Sequence, residues 1–249
     1  MMIKITEKCS MGCTHCMNNA SPTGSEMDFD TFKKALSFQE KYGGPCCIIT
    51  GGEPTEHISW IMFIMYALSQ LPHVYFTVTT NGVWMQSHFE EIENFNKSYG
   101  DRLIFQVTND KRYYPIHIDL SLPVFDLPNV FVCDEIEHIY PQGRALDNNL
   151  EWESKGSKCF NIRAFIHQRP LMGLQDAINF LGMKGKFCTP HIDVNGNIKL
   201  GESDLCPICS NINKQEHEII TDILNFRCSL CNHVNKNLPE KYRNLIGEE

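Results

Sequence analysis

The chain predicts an α/β fold built on a parallel sheet with crossover helices, and three observations carry that expectation. Strand-like and helix-like stretches alternate through the first half, the pattern that yields parallel strands joined by helices. Cys46 to Thr50 is a continuous apolar run of the kind buried on both faces of such a sheet. At 249 residues and 42% hydrophobic composition, the chain can build one full α/β domain and a small appendage, but not two large domains. The expected division is a main domain over residues 1–185 and a cysteine-rich extension over 186–249.

The elements follow in order. Ile3 to Thr6 reads as the first strand, with a cysteine-bearing loop directly after it. Asp28 to Tyr42 is amphipathic, with Phe29, Phe32, Leu36 and Tyr42 on roughly one face, and Gly43-Gly44-Pro45 ends it. After the second strand, a turn at Gly51-Gly52-Glu53-Pro54 leads into Ile58 to Leu68, the most apolar window. That window falls short of the roughly 20 residues a bilayer requires, so it is expected as a buried helix whose Met and aromatic side chains are core. Val74 to Thr80 is the third strand, ending at Asn81-Gly82; Gln86 to Tyr99 is the third helix; Leu103 to Thr108 is the fourth strand. In residues 111–127 the prolines at 115, 123 and 128 discourage a helix, and an irregular crossing is expected. Val130 to Ile136 and Lys158 to Ile166 are expected as a fifth and a sixth strand, and Cys46, Cys47 and Cys133 read as small core residues. No internal repeat or low-complexity segment is present.

Composition excludes some functions. A net charge of −8 argues against a nucleic-acid groove, which needs clustered Lys and Arg to displace counterions. Twelve cysteines without a secretory leader point to a reducing, cytoplasmic compartment and to metal ligation rather than disulfides. Met1 to Thr6 reads as a strand and not as a signal peptide, and no membrane association is expected.

Within Lys8-Cys9-Ser10-Met11-Gly12-Cys13-Thr14-His15-Cys16 the thiols follow a C-x3-C-x2-C spacing. Cubane clusters in electron-transfer proteins normally take four thiolates, so a compact group of three leaves one iron open for another ligand. A structural zinc knuckle would use the same residues but does not explain the glycine turn at 51–54. Together, Cys9, Cys13, Cys16 and Gly51-Gly52-Glu53-Pro54 resemble the radical S-adenosylmethionine (SAM) enzymes, and the resemblance runs from residue 3 to about residue 110.

The resemblance implies a partial (β/α)6 barrel with functional loops at the C-terminal ends of the strands. It implies that Cys9, Cys13 and Cys16 ligate three irons of a [4Fe–4S] cluster while SAM chelates the fourth. Reductive cleavage of SAM would then give a 5′-deoxyadenosyl radical that abstracts hydrogen from a substrate, chemistry that belongs to the cofactor. Gly51, Gly52 and Pro54 would bring backbone close to the methionine part of SAM, and Glu53 would receive its ammonium, or else serve as a helix N-terminal carboxylate. Thr80 and Asn81 would reach the ribose or carboxylate, or simply form a turn, and Gln106, Thr108 and Asp110 are further candidates. His15 would sit near the adenine in a packing or hydrogen-bonding role. Arg144, in Pro141-Gln142-Gly143-Arg144, would grip the SAM carboxylate with two parallel hydrogen bonds, or form a surface salt bridge. A flavodoxin- or ferredoxin-type reductant is implied as partner.

The tail carries Cys206-Pro207-Ile208-Cys209 and Cys228-Ser229-Leu230-Cys231, two C-x2-C pairs separated by 18 residues. Such spacing signals a four-thiolate metal site, holding either zinc or a second iron–sulfur cluster. Cys188 precedes an expected hairpin from His191 to Leu200 with an Asn195-Gly196 turn. A cysteine, a glycine hairpin and further cysteines resemble a twitch domain, related to the SPASM domain. Gly201 stands where that pattern expects a cysteine, so which four of Cys188, Cys206, Cys209, Cys228 and Cys231 form the site stays open.

Relatives with such tails modify ribosomal peptides or oxidise small molecules such as aminocyclitols, so a peptide or small-molecule substrate is expected. Peptide-modifying relatives commonly carry a recognition domain ahead of the barrel; only eight residues precede Cys9, which weakens the peptide expectation without excluding it, since such a domain can be a separate chain. The alternatives are a glycyl-radical activase acting on a partner enzyme, which the tail fits less well, and a non-enzymatic zinc-ribbon interaction module.

Overall fold

A computed structural model describes residues 1–136, 138–139, 143–150, 153–154, 190–200 and 207–225. Strands β1 (Met2–Thr6), β2 (Cys46–Gly51), β3 (Tyr75–Thr80), β4 (Leu103–Thr108) and β5 (Val130–Cys133) lie side by side, each parallel to the next. Helices α1 (Phe29–Tyr42), α2 (Trp60–Gln70) and α3 (Phe89–Tyr99) connect successive strands. The alternating sequence pattern predicted this mostly parallel sheet with crossover helices, and its open form agrees with the partial barrel that the resemblance implies.

The strands alternate as a half-covered sheet must. Ile3, Ile5, Cys47, Ile49, Phe76, Val78, Phe105 and Val107 are fully buried on the face that carries the helices. Lys4, Thr50, Thr79 and Gln106 fall on the opposite face, Lys4 in register with Thr50 and Thr79 with Gln106. Asp28 caps α1 by accepting a 2.7 Å hydrogen bond from the Thr31 amide, and Phe32 of α1 stacks on Phe63 of α2 at 4.3 Å.

Several expectations are corrected. Helix α2 is not buried all round: Trp60, Phe63, Ile64, Ala67 and Leu68 face the sheet, while Ile61, Met62 and Met65 are exposed and Ile58, just before it, is 87% exposed. The third helix starts at Phe89 rather than Gln86, because Trp84–Ser87 forms a separate 3-10 turn and His88 leaves helical geometry. Cys46 is exposed and Cys133 half-buried; of these three cysteines only Cys47 is core. The fifth strand stops at Cys133. Residues 111–127 make an irregular crossing whose one regular piece is a 3-10 turn at Pro123–Asp126. The sixth expected strand, Lys158 to Ile166, lies outside the described residues.

The hairpin expected at 191–200 is present as β8 (Pro190–Ile192) and β9 (Asn197–Leu200), antiparallel, with Gly196 at φ +76° in the turn. Strand β8 pairs parallel with β1, and β10 (Ile208–Asn211) continues beside β9, giving the order β10-β9-β8-β1-β2-β3-β4-β5. The described part of the extension therefore adds strands to the main sheet, with α5 (Glu216–Asn225) beyond them. A separate antiparallel pair, β6 (His138–Ile139) with β7 (Glu153–Ser154), brackets the short helix α4 (Gly143–Asp147). Among the described residues, no helix is long and apolar enough to cross a membrane.

Candidate functional site

The C-terminal ends of β1 to β4 meet at a cavity of about 140 Å³. Its wall holds Cys9, Cys13 and Cys16 from the loop after β1, Gly51, Gly52 and Glu53 from the turn after β2, Thr80 and Asn81 from the end of β3, and Thr108 and Tyr114 after β4, with His15 and Arg144. Eleven of those twelve are residues the sequence had singled out; Tyr114 is not.

The cysteine loop and the glycine turn are stitched together by main-chain bonds. The Gly52 amide donates to Thr6 O and the Glu53 amide to Lys8 O, each at 2.7 Å. A Cβ on Gly51 would lie 2.7 Å from Thr6 O, and one on Gly52 would strike Lys8 O. The close approach of the two segments thus requires glycine at both positions. Pro54 is buried and opens the 3-10 turn that follows, and Glu56 in that turn accepts from the Ser10 amide and hydroxyl at 2.8 Å.

Glu53 is buried and its carboxylate gathers four donors. Oε1 accepts from the Thr55 amide at 3.1 Å and from the hydroxyls of Thr55 and Thr80 at 2.8 Å; Oε2 accepts from the Asn81 amide at 2.7 Å. Burial pushes its pKa up, and those hydrogen bonds act against the rise. Each carboxylate oxygen carries two lone pairs, and Oε2 accepts from one donor only, so it retains room for another from the cavity. Thr80 also accepts from the Gly82 amide, and the Asn81 side chain accepts from the Val83 amide at 3.0 Å, so both residues shape their turn as well as line the cavity.

Two buried donor-bearing groups at the cavity wall lack a hydrogen-bond partner: His15 Nδ1 and Arg144 Nη2. The other nitrogens of Arg144 are engaged, Nε with Cys13 O at 3.0 Å and Nη1 with Ala20 O at 2.8 Å. The His15 ring lies 5.2 Å from the rings of both Tyr113 and Tyr114. Burial lowers its pKa to about 4, which keeps the imidazole neutral near pH 7. Asp110, the further candidate after β4, does not line the cavity; it holds Arg112 in a bidentate pair and accepts from the Ile136 amide at 2.9 Å.

Burial raises the Cys9 thiol to about 11 and Cys13 to about 12. Among the described residues no three Cys, His, Asp or Glu side chains gather closely enough to hold one metal ion. Three thiols on one cavity wall are the donor set that a polynuclear cluster would take, one thiolate to each of three irons. The orphaned Arg144 and His15 nitrogens suit an anionic, hydrogen-bonding ligand beside it. In the tail, Cys209 sits in β10, half-buried, with its thiol 3.1 Å from Ile198 O and raised by burial to about 12. Cys188, Cys206, Cys228 and Cys231 lie outside the described residues.

Sequence reasoning missed Tyr114, Asn18, Thr50 and Thr79 on the cavity wall. The adjacent pair Tyr113-Tyr114, just past a strand end, was a legible signal for the first; the threonines carried none beyond strand alternation.

Residues 3–113 match the family described as the Radical SAM superfamily. The GTP 3′,8-cyclase of Actinobacillus succinogenes is 26% identical over 45% of this chain and 37% of its own length. The antilisterial bacteriocin subtilosin biosynthesis protein AlbA of Bacillus subtilis is 27% identical over 46% of this chain and 25% of its own. The matched stretch therefore spans well under half the length of either curated relative. Among solved structures, BtrN in complex with AdoMet and 2-DOIA shares the fold over 98% of this chain and 85% of that one, with a TM-score of 0.57 at 15% identity.

Proposed function

We propose that this chain, a radical SAM protein over residues 3–113, cleaves SAM reductively and abstracts a hydrogen atom from a peptide or small-molecule substrate. The observation that carries the reading is the convergence of Cys9, Cys13 and Cys16 with the 51–53 turn and two orphaned nitrogens on one cavity. When bound, a [4Fe–4S] cluster and SAM would supply the electron and the 5′-deoxyadenosyl radical.

The chain's own residues position and shield. Cys9, Cys13 and Cys16 would each take one iron. Glu53, anchored by Thr55 and Thr80, would present the open side of Oε2 to the SAM ammonium, and Arg144 Nη2 would take its carboxylate. His15, neutral and flanked by two tyrosines, would pack near the adenine. The substrate would lie over the polar sheet face, where Thr50 and Thr79 offer hydroxyls and Asn18 accepts from Lys4 at 3.1 Å. Hydrogen-bonding groups at that depth favour a polar substrate over an apolar one. Cys209 with the other tail cysteines would form a second metal site, zinc or iron–sulfur, and a flavodoxin or ferredoxin would deliver the electron.

Anaerobic incubation of the reconstituted protein with dithionite and SAM tests the reading. The expected result is 5′-deoxyadenosine, absent in the Cys9/Cys13/Cys16→Ala variant; a reconstituted protein that forms none would overturn it. Consumption of a precursor peptide or of a free cyclitol in the same assay would then separate the two substrate classes.

A further inference from the structure

The tip of the cysteine loop is held by contacts that neither cluster nor SAM chemistry requires. Thr14 sits at this tip, between Cys13 and Cys16, and both of its peptide groups are taken by other loops. Its amide donates to Tyr113 O at 3.2 Å, and its carbonyl accepts from Asn148 Nδ2 at 2.9 Å. The same Asn148 Nδ2 lies 2.8 Å from Arg144 O, so one amide group ties the loop to the last turn of α4. Gly143, at φ +55°, backs onto the loop so closely that a Cβ there would lie 2.7 Å from Cys16 O and 2.9 Å from Met17 O.

These contacts share a geometry. Apart from the Tyr113 bond, they come from α4 and the turn after it, and they fall on main-chain carbonyls of the loop rather than on its side chains. A carbonyl held by a donor fixes the peptide plane and with it the direction of the neighbouring Cα–Cβ bonds. The peptide planes at Cys13, Thr14 and Cys16 set where two of the three thiols point. Nothing else in the described residues donates to Thr14 O.

We propose that residues 143–148 form a latch on the cysteine loop, with Asn148 and Gly143 as positioning residues that set the orientation of the Cys13 and Cys16 thiols. The latch acts through the backbone, so it exists whether or not a cluster is bound, and whatever moves α4 also moves the loop. The orientation claim rests on the reading of these thiols as cluster ligands, whereas the backbone contact does not.

Hydrogen exchange by mass spectrometry on the full chain, metal-free and reconstituted, tests the contact, with Asn148→Ala and Gly143→Ala as variants and Glu93→Ala on α3 as control. Loss of one neutral hydrogen bond is expected to speed exchange in residues 10–20 by roughly tenfold in Asn148→Ala, with β4 protection unchanged. Gly143→Ala is expected to do the same by displacing the loop. Unchanged exchange in 10–20, or equal acceleration in β4, would overturn the latch. The reduction potential of the reconstituted cluster tests the positioning role: it is expected to shift in Asn148→Ala and not in Glu93→Ala, since thiolate orientation and nearby hydrogen bonds tune it. An unshifted potential would overturn that role. If no variant and no wild-type protein holds a cluster, the proposed function fails while the exchange result still decides the contact.

Discussion

Glu53 shows how one residue ties the site to the fold. Its carboxylate takes four donors from Thr55, Thr80 and Asn81, and so pins the turn after β2 to the end of β3. Glu53→Gln would turn an NH2 group toward some of those donors, and we expect it to cost about 1–3 kcal/mol in urea unfolding. Gly52→Ala makes a different prediction, because its Cβ would strike Lys8 O and push the turn away from the cysteine loop. Iron uptake should fall in that variant while far-ultraviolet circular dichroism stays unchanged. Asp110 supplies a pH signature. The Arg112 guanidinium beside it holds its pKa down at about 2, from an ordinary 3.8. A depressed folded-state value means that the stabilisation is present above about pH 4 and is lost as pH falls toward 2. Asp110→Asn should remove this part of the acid transition, read by following unfolding from pH 5 down to pH 2. At this scale the Cys, Gly and Glu residues were legible because their chemistry or conformational freedom is rare. Asn148 and Thr55 were not, because each acts through a contact with a residue distant in sequence or through a local turn that composition does not mark.

At the scale of elements, periodicity placed the strands to within a residue or two, since alternation and turn residues agree along β1 to β4. It failed for α2, where an apolar run with no polar face looked buried throughout. The sheet covers only one side of a helix, and Ile61, Met62 and Met65 are left on the other. The two faces should respond differently to substitution. Phe63→Ala is expected to cost about 3–5 kcal/mol by opening a void between α2 and α1, and Met65→Lys to stay within about 0.5 kcal/mol, as at other exposed positions; urea titration of both variants checks the contrast. The hairpin at 191–200 was legible from its Asn-Gly turn. Its attachment to β1 was not, because strand pairing across nearly 190 residues leaves no local mark.

Across the whole molecule, a parallel sheet gathers four loops at one edge, and those loops carry the cysteine triplet, the glycine turn and the Thr80-Asn81 turn that line the cavity. Sheet order explains why the cysteine loop, at the very start of the chain, lies central: β1 sits between β2 and β8, with strands on both sides. In the proposed function, Cys9, Cys13 and Cys16 hold a cluster with one iron open to SAM. Low-temperature electron paramagnetic resonance of the reduced, reconstituted protein, recorded with and without SAM, tests it most directly. The expected result is a signal whose g values shift on adding SAM, and loss of that SAM-responsive signal in the Cys9/Cys13/Cys16→Ala variant. A spectrum indifferent to SAM, or a SAM-responsive signal that survives in the variant, would contradict it.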